Sequence, residues 1–394
     1  MFSSRVPELV PNRWAQALAS TEPELDLTVS NPTVVGLPYP QDLLEPLAHP
    51  RGLVYRPEPA GLREAREAVA ARYRASGLPV QGDHVLLVAS TSEAYGLLAK
   101  LLCEPGEGFL VPQPSYPLFE HLLRAEGCRA FPYPLPEEAR FHLDAARISH
   151  HPEARAVVVV QPNNPTGTVV SEGEWEDLVA LCRQQGWALV ADEVFWEFAL
   201  GEGFRRSFAG NPACLTFTLG GLSKLVGLPQ LKVGWVVVSG PPELAREAFA
   251  RLEFLADTYL SVATPTQQAL PEILSRAEVV TTAIRHRLSE NLELLARHVA
   301  ALPFLELLPP EGGWSAVLRY PAVVSEEELV LALLRDEGVA VYPGYFFDFP
   351  REGFLVASLL VAPETLAEGL RRLSSSLDRL LATRGGLPRA GSAP

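Results

Sequence analysis

Four groups of residues have types that can do chemistry, and each follows a run of apolar residues. Ser90, Thr91 and Ser92 stand between the run HVLLVA and a helical pattern. Free backbone N–H groups and hydroxyls at such a junction can cradle a phosphate. The plainer alternative is an N-cap that serves stability only. Asn164 lies in Asn163-Asn164-Pro165-Thr166-Gly167, behind AVVVVQ. Asn-Pro and Thr-Gly are turn formers, so a turn alone also explains it. Asp192 closes the run WALVA. A carboxylate at the inner end of a buried strand is costly unless paired, although it can also cap the next segment. Lys224 follows Leu222-Ser223 in a glycine-rich stretch. Taken alone, a lysine there is an ordinary exposed charge.

The elements that must position these residues alternate. The segment from Leu62, LREAREAVAARYRAS, repeats apolar residues at Leu62, Ala65, Val69 and Tyr73, which is helical spacing. HVLLVAS, GFLVPQPSY, ARAVVVVQ, WALVADEV, CLTFTLGG and VGWVVVSG are short strands, and helical patterns separate several of them. The strands are continuous Val/Leu runs. That predicts an α/β fold: a mostly parallel sheet buried by helices on both faces, with ligands at the carboxyl ends of the strands. From about Leu270 the pattern predicts one long helix through PEILSRAEVVTTAIRHRLSENLELLARHVAALP. It leads into a smaller α/β domain that the N-terminal segment joins. The expected division is 1–45 with the small domain, 46–280 as the large domain and 281–384 as the small one. The small, turn-rich tail 385–394 is expected to be disordered.

The chain has 394 residues, 47% hydrophobic and 20% charged, enough for a sizeable core. A net charge of -14 argues against a general nucleic-acid or anionic-membrane binder. No apolar run is long enough for a membrane span, and MFSSRVPELVPNRW lacks the apolar core of a signal peptide. A cytoplasmic protein is expected. Cys103, Cys128, Cys182 and Cys214 form no CxxC pair and read as reduced. His150-His151 reads as loop, and no metal site is expected.

Jointly, NNPTG, ADEV, LSK and GLPxLKxGW, in that order, resemble fold-type I pyridoxal-phosphate (PLP) enzymes of aminotransferase class I/II. The likeness runs from Leu25–Thr33 through Tyr55–Gly61 to Pro343-Gly344. It implies that Lys224 holds PLP as a Schiff base, that Asp192 pairs with the pyridine nitrogen, and that Asn164 bonds the ring's phenolic oxygen. It implies that Tyr116 stacks on the ring, although a core aromatic is the simpler reading. It places Ser90, Thr91, Ser92 and Lys232 at the phosphate and counts Ser223 among the cofactor-binding residues. Lys232 stands where the family often has Arg, and keeps the charge without the two-pronged geometry. Tyr55 would reach the neighbouring subunit's phosphate, implying a homodimer. Asn31 and Gly36 would lie near the substrate entrance. The implied reaction moves an amino group between an amino acid, or a related amine, and a 2-oxo acid by ping-pong kinetics.

The sequence also departs from that family. Phe195 stands where Tyr is usual, and Gly221 where many relatives have Ser. Val356, in FLVASLLVAPETLAEGLRRL, aligns with the arginine that binds the substrate's α-carboxylate. Arg13 or Lys232 could replace that cation, or the substrate could carry its carboxylate elsewhere or lack one. Two other functions fit the same motifs: a C–S lyase or other β-eliminating enzyme, and a PLP-binding regulatory protein without catalysis.

Overall fold

The computed structural model describes residues 2–201 and 205–384, so the tail expectation falls outside it. The N-terminal part holds α1 (Arg13–Ser20), capped by the Asn12 side chain, and β1 (Leu25–Asp26). Then come α2 (Arg63–Ala75), β2 (Val85–Val88), α3 (Thr91–Leu102), β3 (Gly108–Gln113), α4 (Phe119–Ala125) and β4 (Arg129–Pro134). β5 (Ala154–Val160), α5 (Glu172–Gln185), β6 (Ala188–Asp192), β7 (Thr216–Gly221), the single turn α6 (Leu222–Leu225) and β8 (Gly234–Ser239) follow. Next are α7 (Pro242–Asp257), α8 (Thr264–Ser275) and α9 (Ala277–Ala300). The C-terminal part contains β9 (Glu306–Leu308), β10 (Ser315–Arg319), α10 (Glu326–Glu337), β11 (Val339–Ala340), β12 (Tyr342–Pro343), β13 (Phe354–Ser358) and α11 (Pro363–Thr383).

A seven-stranded sheet in the order β2-β8-β7-β6-β5-β3-β4 forms the centre. β8 pairs antiparallel with both of its neighbours, and the remaining pairings are parallel. β2, β6, β7 and β8 are buried at every position, as their unbroken apolar runs require of a sheet covered on both faces. Six strands therefore point one way, and their carboxyl ends gather the strand-end motifs at one edge.

β4 was not legible in the sequence. Its segment RAFPYP holds Pro132 and Pro134, which are tolerated because β4 is an edge strand and both prolines face outward. The expected single long helix is two. α8 ends at Ser275, and Arg276 (φ -101, ψ 1) leaves helical geometry before α9 begins. Arg276 is held there by ion pairs to Asp42 (2.8 Å) and Glu272 (2.7 Å). A second, antiparallel sheet runs β12-β13-β10-β9. β1 pairs with β11, which ties the N-terminal segment to this C-terminal part.

Candidate active site

At the end of β6, Asp192 is 8% exposed. One oxygen accepts the Tyr95 hydroxyl at 3.1 Å, and the other accepts the Val194 N–H at 3.2 Å. Tyr95 is brought there by α3, where it is itself buried. Among the described residues Asp192 forms no ion pair. Burial lifts its pKa to about 6, against the pull of the Val194 N–H, the Tyr95 hydroxyl and Lys224. A buried carboxylate in this state is matched to a cationic partner.

β7 delivers Lys224 on α6. Its ammonium lies 5.3 Å from the centre of the Phe195 ring and 4.8 Å from that of Trp314. Burial lowers its pKa to about 8, and Asp192 partly opposes the shift. An amine in that range can gain or lose a proton near neutral pH. Gly221, which ends β7, has a packing reason to lack a side chain. A Cβ there would meet Gly234 Cα and the Val233 carbonyl oxygen at 3.2 Å each, so the Ser of many relatives would crowd β8.

The start of α3 forms the polar end. The Ser90 hydroxyl accepts the Glu93 N–H at 3.2 Å, the ordinary N-cap bond. A Cβ on Gly234 would come within 3.4 Å of the Thr91 nitrogen, so glycine keeps this helix end open. Lys232, in a left-handed conformation (φ 52) just before β8, brings a cation to the same wall. A phosphate dianion matches this donor set: helix-end N–H groups, hydroxyls and an ammonium.

These groups share one cleft of about 320 Å³. It brings together Ser90, Thr91, Ser92, Tyr116, Asn164, Asp192, Phe195, Ser223, Lys224 and Lys232 of the expected residues. Asn164 accepts a bond from the Ser315 hydroxyl at 3.4 Å, whereas Asn163 is spent on structure, donating to the Pro114 carbonyl and to Thr166.

Four expected residues lie off this wall. Asn31 caps a short turn by accepting from the Thr33 N–H and hydroxyl, and the wall there is Ser30. Gly36 (φ +70) makes a surface turn. Tyr55 is 73% exposed. Val356 is 1% exposed in the middle of β13, paired with Val317 and Tyr342. Arg13 pairs with Glu327 at 2.8 Å instead of entering the cleft. Sequence reasoning missed Ser30, Tyr95, Trp314 and Ser315. Trp314, just before β10, and Ser315, its first residue, come from a segment roughly 90 residues beyond Lys224.

The family model for aminotransferase class I and II matches residues 45–373. A glutamate-pyruvate aminotransferase of Haemophilus influenzae is 27% identical over 370 residues, 90% of each chain. An arginine-pyruvate transaminase of Pseudomonas aeruginosa is 30% identical over 335 residues, 82% of each. Among solved structures, an aminotransferase from Escherichia coli superposes with TM-score 0.84 at 25% identity, covering 96% of this chain and 98% of its own.

Proposed function

Because this chain belongs to the aminotransferase class I and II family, and is therefore a pyridoxal-phosphate-dependent aminotransferase, we propose that the cleft around Lys224 and Asp192 is where it works. One observation carries this reading: a half-buried amine, a buried carboxylate with no ion-pair partner among the described residues, and a phosphate-sized polar end face a single cavity.

Lys224 would attach the cofactor, Asp192 would pair with its ring nitrogen, and Asn164 would meet its phenolic oxygen. Tyr116 would cover the ring, with Ser90, Thr91, Ser92, Ser223 and Lys232 toward the phosphate. When bound, the cofactor supplies an electron sink for the bond being broken at the amine-bearing carbon. Asp192 serves that sink by holding negative charge beside the ring nitrogen, with Tyr95 and Val194 fixing its orientation. Lys224, once free, accepts and returns a proton, and its low pKa leaves a useful fraction uncharged near pH 7. Phe195 and Trp314 set apolar ring faces beside that amine.

The reaction moves an amino group between an amino acid or related amine and a 2-oxo acid. The names of the relatives make pyruvate the first acceptor to try. The test is to incubate holoenzyme with single donors and pyruvate. Formation of alanine in step with loss of the donor supports transfer. Release of ammonia and pyruvate from a donor alone, without alanine formation, would favour β-elimination instead.

A homodimer fits the surface. Leu53 (90% exposed) and Val54 adjoin Tyr55, and the crevice lined by Tyr55 also holds Leu260. An apolar strip of this kind is a candidate contact. Residues 46–280 are read as the cofactor-binding domain, and 281–384 with 1–45 as the smaller one. No described helix is long and apolar enough to cross a membrane, and the cytoplasm is the proposed location.

A further inference from the structure

Position 356 faces the cleft's side of the second sheet. In the β10–β13 register, Ser315 opposes Ser358 and Val317 opposes Val356. Opposed residues share a face, and so do residues two apart, so Val356 lies one step behind Ser315, which lines the cleft. A long cationic side chain at 356 would run toward Ser315; valine stops inside the core. Among the described residues, the cations on the cleft wall are Lys224 and Lys232, and no arginine contributes. Lys232 stands at the phosphate end and Lys224 is the working amine. Beside Lys224 the walls are Phe195 and Trp314, 8% and 3% exposed and packed edge to face at 5.5 Å.

We infer that Trp314 and Phe195 make this site rank an uncharged group above a carboxylate on the amine-bearing carbon of the donor: alkyl, aryl or carboxamide before carboxylate. The inference rests on the cleft's assignment as the site of amino transfer. An anion beside two buried aromatic faces loses its water and finds no arginine on this chain's cleft wall to pair with. An amine fares better there as its free base, because the surroundings that depress the pKa of Lys224 beside these ring faces favour an uncharged amine in that place. The site thus welcomes the incoming amine and disfavours an anion next to it. The acceptor meets the same walls, so a 2-oxo amide should outrun the corresponding 2-oxo acid.

The test uses holoenzyme and donors matched apart from the carboxylate, alanine against alaninamide and phenylalanine against phenylalaninamide, with every rate expressed per unprotonated amine because the amides are the weaker bases. The loss of the cofactor's visible absorbance is followed in single turnovers. The inference expects kcat/KM at least tenfold higher for the amides, with most of the difference in the concentration that gives half the maximal rate. Trp314→Ala should shrink that ratio at least threefold, while Trp314→Phe largely keeps it. Free acids reacting as well as the amides, or better, would overturn the inference and leave the transfer reading standing. Failure of every donor to change the absorbance would overturn both.

Discussion

The Tyr95 hydroxyl donates to Asp192 at 3.1 Å across the buried gap between α3 and the end of β6. That bond favours the ionised carboxylate that burial opposes. Tyr95→Phe should therefore raise the pKa of Asp192 and shift the acid limb of the activity profile to higher pH. An acid limb that stays put or moves down would show that Tyr95 does not support the carboxylate. Asp192→Asn should slow turnover by roughly a hundredfold, about 3 kcal/mol in the barrier. Turnover within threefold of wild type is incompatible with the role given to Asp192.

Lys224 gives the apo chain a pH signature. Its folded pKa, about 8, lies below the ordinary 10.5 because burial penalises the ammonium. Between those values the unfolded chain binds more protons, so this group makes stability rise with pH from about 8 to 10.5, and its penalty is full below 8. Lys224→Met should then make apo protein more stable than wild type at pH 7, by at most about 3 kcal/mol. The gap should close as pH approaches 10. Urea melts at pH 7 and 10 check this; a gap that widens with pH contradicts it.

Phe195→Tyr tests the missing phenol. A hydroxyl there would stabilise the cofactor's phenolic oxygen as an anion and lower the pH midpoint of the bound cofactor's colour change. No shift, or an upward one, would mean that another group already supplies the bond.

The apolar strip at Leu53, Val54 and Tyr55 should be covered in solution by a second copy of the chain. Sedimentation should give a dimer. Leu53→Glu should weaken the dimer and, if Tyr55 completes the neighbour's site, weaken cofactor retention with it. A monomer at micromolar concentration with full cofactor affinity would contradict this.

The large sheet and the strand-end residues were legible because each lies within one continuous apolar run and the turn behind it. Asp192 follows WALVA directly, and Lys224 lies three residues past the glycine that ends β7. Tyr95 was hidden because its spacing in α3 matches any core aromatic. Trp314 and Ser315 were hidden for a different reason. Their place in the cleft depends on how the second sheet docks against the first, and no local pattern encodes that. β4 was masked by its prolines, which only an edge position excuses. The break at Arg276 depends on Asp42, more than 200 residues away.

The claim that Lys224 carries the cofactor can be tested directly, because the chain has three lysines: Lys100, Lys224 and Lys232. Lys100 lies outside the cleft wall, pairing with Glu126 at 2.5 Å, while Lys224 and Lys232 share the cleft. Holoenzyme should be reduced with borohydride, digested and mapped by mass spectrometry. The account predicts the reduced cofactor's added mass on the peptide containing Leu222-Ser223-Lys224, at Lys224. The same mass on Lys232 or Lys100, with Lys224 unmodified, would contradict it.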